Sequence, residues 1–186
     1  MSDVSAPRCG AEIFELGVPV LGICYGMQLM TDILGGQVTT SSQREFGHAQ
    51  VTIAGHGVRP RLFDDVPDSL RVWASHGDCV AGAPPGFSVV ATSASAPIAA
   101  MEDLSRSLYG LVFHPEVAHT DHGLAILRNF ARGVCGCRGD WTIASFVKEA
   151  TERIRQQIGK GRVVCGLSGG VDSRSEERRV GKECRL

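Results

Sequence analysis

The chain reads as an α/β protein, a sheet flanked by helices, and three stretches carry that prediction. In VPVLGICYGMQLMTDILGG, residues 18–36, an apolar run turns abruptly into an amphipathic one. SLYGLVFHPEV, residues 107–117, is a second apolar run closed by proline, and RVVCGLSGGVDS, residues 162–173, leads a third into a glycine-rich loop. Short strand-like runs alternating with helical periodicity mark this fold class.

The elements follow in order. Val18, Val20, Leu21 and Ile23 predict a short buried strand, and Met27, Met30, Ile33 and Leu34 recur at helical spacing until Gly35 and Gly36 stop the helix. Residues 49–54 and 87–91 predict further strands, with Pro60, Pro67, Pro84 and Pro85 at turns between them. Leu108 to Phe113 predict a strand that Pro115 ends, because proline has no N–H to donate to a ladder. AILRNFARGV, from Leu124, predicts a helix ending near Gly133. Residues 142–158 predict another, with Ile143, Phe146, Val147, Ala150 and Ile154 on one face. Val163, Val164 and Leu167 then predict a strand running into the glycine loop.

Cys24 stands where the first strand becomes a helix, between Gly22 and Gly26. Glycines suit a strained strand-to-helix elbow, where side chains would collide as the backbone doubles back. A helix starting after Cys24 aims its free N–H groups at the sulfur and favours thiolate. The bland alternative is a small buried hydrophobe, the commonest state of a free cysteine; the glycine frame and the flanking elements favour a nucleophile. Among six histidines, His114 is the best base, and Glu116 can return to the same side to orient it. His76 in SHGD is the rival base, but its turn-forming neighbours, Asp78 among them, suit a loop lining a substrate.

A formal net charge of −1 and the lack of a basic stripe with interleaved aromatics before the last dozen residues argue against a nucleic-acid binder. The 186 residues, 43% of them hydrophobic, allow one packed domain and part of another. No run approaches the roughly twenty apolar residues that span a bilayer, and the N-terminus lacks a secretory pattern. With seven irregularly spaced cysteines, the chain reads as cytoplasmic. His119, His122, Cys135 and Cys137 could ligate zinc, yet a CxC pair is tighter than the usual CxxC, and no metal site is expected.

The glycine loop suits a phosphate. Gly169 and Gly170 let successive N–H groups turn inward, and Ser168 and Ser173 add hydroxyls. It is no Walker A loop, and GKE at 181–183 lacks that spacing.

GICYGMQ, LYGLVFHPEV and SHGD together resemble the class I glutamine amidotransferases. With LGG, REFG at 44–47, CGC at 135–137, Trp141 and LSGGVDS, the order of features over residues 1 to about 173 is similar to the GMP synthase family. That resemblance implies a flavodoxin-like sheet flanked by helices over residues 1–133, lacking its N-terminal strands. It implies a linker helix and the first strand and phosphate loop of a Rossmann-like ATP pyrophosphatase domain over 134–173. By the same resemblance Cys24 attacks the side-chain amide of L-glutamine, His114 passes a proton to ammonia and Glu116 holds His114. The oxyanion meets the Tyr25 N–H, and Gln28, Ser75 and His76 contact glutamine. Ser168, Gly169, Gly170, Val171, Asp172 and Ser173 match the loop that holds ATP, used with Mg2+ to aminate xanthosine monophosphate (XMP) to GMP in a homodimeric parent.

Three departures from the family stand out. The glycine-rich segment and early strands that precede the elbow in relatives are missing. Val112 replaces a frequent glutamine. RSEERRVGKECRL, residues 174–186, holds five basic and three acidic residues where an apolar helix is expected, and reads as a cloning or sequencing artefact. The expectation is therefore a synthase parent whose fragment is at best a glutaminase. The alternatives are a cysteine hydrolase of another γ-glutamyl substrate, or a catalytically silent fragment.

Overall fold

Val20–Ile23 forms β1, and its backbone is shared with the last strand of the same unit rather than with its sequence neighbour. The computed structural model describes residues 6–54, 59–140 and 142–164, with the side chains of 41–45 set aside. It divides into two units, residues 1–139 and 140–186.

In the first unit, β1 leads through Cys24 into α1, Tyr25–Ile33, and then into β2, Gln37–Ile53, and β3, Ser69–Gly82. β4, Ser88–Ser93, β5, Ala100–Asp103, and β6, Leu108–Leu111, complete one sheet of order β1-β6-β5-β4-β2-β3. β1 and β6 are parallel, Val20 to Leu108 through Ile23 to Leu111, and the other pairings are antiparallel. The long β2–β3 hairpin was not expected. The predicted strand at 49–54 is its inner end, and the predicted strand at 87–91 lies largely within β4.

Both faces of the sheet centre are covered, which is why all four residues of β6 are buried. On one face Met27 and Met30 of α1 are fully buried. A Cβ at Gly110 would lie 2.8 Å from Met27 Cγ, so glycine there lets α1 settle onto β6. On the other face Tyr109 meets Phe130 edge to face, 5.9 Å between ring centres. Phe130 lies in a wide i→i+5 turn, Asn129–Val134, that follows α2, Gly123–Arg128. The helix predicted from Leu124 to near Gly133 is thus present, with its hydrogen bonding widened from Asn129 onward. The Asn129 side-chain amide donates to the carbonyls of Leu62 and Asp64, at 3.1 and 2.7 Å, and the widened turn accompanies that tie.

The second unit shows α3, Ile143–Ile158, begun by a reciprocal cap: Ser145 N–H donates to Thr142 Oγ1 at 3.0 Å, and Thr142 N–H to Ser145 Oγ at 2.9 Å. Its apolar face is as predicted in register, and none of its residues is buried. Among the described residues no helix is long and apolar enough to cross a membrane. The predicted phosphate loop, Ser168 to Ser173, Trp141 and the tail from 174 lie outside the described residues.

Candidate active site

Cys24 is the N-cap of α1 and holds φ 49°, ψ −108°, a conformation that L residues avoid at a cost of about 1–3 kcal/mol. It is held there from both sides. Its N–H donates to Leu111 O at 2.7 Å, and its carbonyl accepts from Met27 and Gln28 at 3.0 and 3.1 Å to open the helix. A Cβ on Gly22 would lie 2.8 Å from the backbone of Gly26 and Met27, so the bend requires glycine at 22. Gly26 differs from expectation: a Cβ there meets nothing within 4 Å. Crowding is confined to the strand side of the elbow.

Desolvation of the Cys24 sulfur works against the helix-end argument. Burial pushes the Cys24 thiol up and the charge of Glu116 adds to this, against a Tyr25 N–H that favours the ionised form. The thiol points to Ser75 O at 3.6 Å. The loss of water around the sulfur outweighs the one backbone donor, the Tyr25 N–H.

His114 follows β6 by three residues, so the strand that anchors the Cys24 backbone also delivers the imidazole. His114 N–H donates to Trp73 O at 3.0 Å on β3, two residues before Ser75. His114 Nδ1 and Glu116 Oε1 are 2.7 Å apart. An ionised carboxylate only accepts, so Nδ1 is the nitrogen that donates in this pair, and in the neutral imidazole the lone pair is then on Nε2. Cys24, His114 and Glu116 therefore gather at the C-terminal ends of β1 and β6. The Glu116 charge is felt at the sulfur, although no hydrogen bond joins thiol and imidazole in this state.

A cleft of about 300 Å3 opens at Cys24, lined also by Tyr25, Gln28, Thr40, Phe46, Ser75, His76, Gly77 and Asp78. His114 and Glu116 are not among its lining residues. SHGD is strand, not loop: Ser75 pairs with Phe46, His76 with Glu45 and Asp78 with Thr40 across the hairpin. Pairing with β2 overrides the turn-forming composition, and the register slips between Thr40 and Glu45, a bulge beside the cleft. His76 is buried on β3. Gln28 is buried as well, and its amide donates to Asp78 O at 3.0 Å, which ties α1 to β3. The Tyr25 hydroxyl donates to Pro7 O at 2.8 Å. Thr40 and Phe46 were not anticipated as lining residues; the available signal for Phe46 was its place in the quoted REFG segment.

Among the described residues no group of three or more His, Cys, Asp or Glu side chains is placed to hold a metal. His119, weighed as a zinc ligand, stacks on Trp73 with ring centres 5.0 Å apart.

The family model for glutamine amidotransferase class-I matches residues 4–134. GMP synthase [glutamine-hydrolyzing] of Syntrophomonas wolfei is 49% identical over 168 residues, 90% of this chain and 32% of the relative. The protein of that name from Geobacillus kaustophilus is 52% identical over 171 residues, 92% of this chain and 33% of the relative. The chain thus spans about a third of the length of the curated relatives it matches. Among solved structures, a Thermoplasma acidophilum protein named for one of the subunits of GMP synthase superposes with TM-score 0.61 at 31% identity, covering 75% of this chain and 64% of that one. A glutamine amidotransferase from Thermotoga maritima gives TM-score 0.51 at 26% identity, over 77% and 53%.

Proposed function

Because the chain belongs to the class I glutamine amidotransferase family, we propose that its first unit hydrolyses L-glutamine to glutamate and ammonia. The observation that carries the reading is the strained Cys24 elbow bonded through its N–H to Leu111, on the strand that leads to the His114–Glu116 pair. In the proposed reaction His114 Nε2 takes the thiol proton and the sulfur attacks the side-chain carbonyl carbon of glutamine. A C–S bond forms, negative charge gathers on the oxygen, and the Tyr25 N–H meets it. The C–N bond then breaks as His114 returns the proton to the leaving nitrogen, giving ammonia and a glutamyl thioester. Water, deprotonated by the same imidazole, cleaves the thioester to glutamate and restores the thiol.

Gln28, Ser75 and His76 line the cleft in which the substrate would lie. Ser75 O must release the sulfur for attack, so substrate entry and thiol activation are coupled in this scheme.

The chain's relatives support a wider proposal. Residues 1–133 would be the amidotransferase domain of a longer, cytoplasmic, homodimeric GMP synthase, and 134–173 the start of its synthetase domain, followed by the unrelated tail 174–186. There, ATP with Mg2+ would activate XMP for amination by the ammonia. The residues that would hold ATP, Ser168, Gly169, Gly170, Val171, Asp172 and Ser173, lie outside the described residues.

A second reading, a silent domain, is favoured by the half-buried thiol, turned to Ser75 O and with its pKa raised by desolvation. One assay separates the two: glutamate release by the chain and by its Cys24→Ala variant. Release that falls at least about a thousandfold in the variant supports the glutaminase. Equal rates sink it, and a wild-type chain without release supports the silent domain.

A further inference from the structure

β3 is an edge strand, and the segment that follows His114 runs along its open side. Two backbone bonds join them, His114 N–H to Trp73 O at 3.0 Å and Asp121 N–H to Arg71 O at 2.9 Å. Between these the regular ladder fails, and a side chain replaces it. The hydroxyl of Thr120, a residue only 6% exposed, accepts the Trp73 N–H at 2.9 Å and donates to the His114 carbonyl at 2.6 Å. Trp73, His114 and Thr120 thus form a closed ring of three hydrogen bonds. Both peptide groups that flank the His114 Cα are fixed to β3, the strand that also carries Ser75 against the Cys24 sulfur.

We infer that Thr120 is a positioning residue for His114, its hydroxyl clipping the imidazole-bearing segment to the strand that borders the nucleophile. The inference rests on the glutaminase reading for its consequence and on the hydrogen-bond ring for its geometry. The other anchor of the imidazole, Glu116, is 47% exposed and holds the ring at Nδ1 without fixing the backbone. The hydroxyl suits the task because it donates and accepts at once and its β-branched stem restricts χ1. Valine fills the same space and does neither. Serine does both.

The test compares wild type, Thr120→Ser, Thr120→Val and Thr120→Cys for glutamine hydrolysis, with the His114 titration followed by NMR. Thr120→Val is expected to lose kcat by about ten- to a hundredfold with KM nearly unchanged, as a small misplacement of a catalytic group does. Thr120→Ser is expected to recover most of that loss. The acidic limb of the pH profile and the His114 titration midpoint are expected to move by about half a unit or more in Thr120→Val and not in Thr120→Ser. Wild-type kcat in Thr120→Val, or equal damage in Thr120→Ser, overturns the inference. Should Thr120→Val fail to fold, Thr120→Cys carries the comparison, with kcat expected to fall at constant KM and an unchanged kcat overturning the claim. A wild-type chain that releases no glutamate defeats the function reading alone. The His114 midpoint then decides, and an unmoved midpoint in Thr120→Val, or in Thr120→Cys should Thr120→Val not fold, overturns the positioning role.

Discussion

The backbone N–H of Cys24 donates to the carbonyl of Leu111 at 2.7 Å, one step past the last β1–β6 rung. This bond seats a residue of φ 49° at the end of the strand that reaches His114 three residues later. The strain therefore lies in the backbone and not in the sulfur. Cys24→Gly is expected to be more stable than Cys24→Ala by about 1 kcal/mol, since both lack the thiol and only glycine accepts the conformation freely. Urea denaturation of the two variants measures it; equal midpoints would mean that the elbow relaxes.

Gly22 is expected to be intolerant. Its substitution by alanine puts a methyl 2.8 Å from the Gly26 and Met27 backbone, atoms that cannot move without opening α1. Gly22→Ala is expected to cost about 1–3 kcal/mol and to abolish glutamate release, whereas Gly26→Ala, with open space around the new methyl, is expected to fold normally. Thermal melts and the glutaminase assay on both variants make the comparison.

The thiol's reactivity is expected to follow its surroundings. Burial raises the Cys24 pKa and the Glu116 charge raises it further, so alkylation by iodoacetamide should remain slow until the pH exceeds that of an ordinary thiol. Glu116→Gln removes one raising influence, and the alkylation midpoint is expected to move down while turnover falls. An upward move would show that a His114 imidazolium, lost with Glu116, governs the sulfur instead.

What was legible in the sequence is what is decided locally. Val20, Cys24 and Tyr25 announce the elbow because the strand, the bend and the helix are contiguous, and His114 with Glu116 announces a hydrogen-bonded pair because only Pro115 separates them. The extent and the apolar face of α3 were legible for the same reason. β5 was missed because Ala100–Asp103 is buried on both faces and shows no alternation. Ser75 and His76 looked like turn because their strand exists only by pairing with β2, some thirty residues earlier. Thr120 gave no signal at all: its acceptor role is set by Trp73, 47 residues away. The desolvation that raises the Cys24 pKa is a tertiary quantity that a helix end does not reveal.

The turn between β5 and β6 should make the fold acid-sensitive. Asp103, 3% exposed, accepts from Ser105 N–H and hydroxyl at 2.9 and 2.6 Å and from Arg106 N–H and Nε at 3.2 and 2.6 Å. Burial opposes its ionisation, yet these donors hold its pKa below the usual aspartate value. A depressed carboxylate contributes stability that is present above the unfolded pKa of about 3.9 and is lost as pH falls through the folded value. Asp103→Asn is expected to cost about 1–2 kcal/mol at pH 7, mostly through the turn bonds, because the Arg106 partner is 39% exposed. Urea midpoints at pH 7 and near pH 3 test this: the gap between wild type and variant should close in acid, and a constant gap would refute the linkage.

The neighbouring Glu102 should act with the opposite sign. It is 8% exposed, its Oε2 has no hydrogen-bond partner among the described residues, and burial raises its pKa against a weaker pull from Arg61. A carboxylate with a raised folded pKa leaves the fold most stable below the unfolded value of about 4.3, and that stability is lost as pH rises through the folded value. Glu102→Gln removes the buried charge at nearly constant shape, so it is expected to stabilise by about 1 kcal/mol at pH 8 and to match wild type near pH 4. Denaturation at the two pH values decides between the two influences. A variant less stable than wild type at pH 8 would mean that attraction to Arg61 outweighs the loss of water around the carboxylate, and that the charge is held in place rather than merely tolerated.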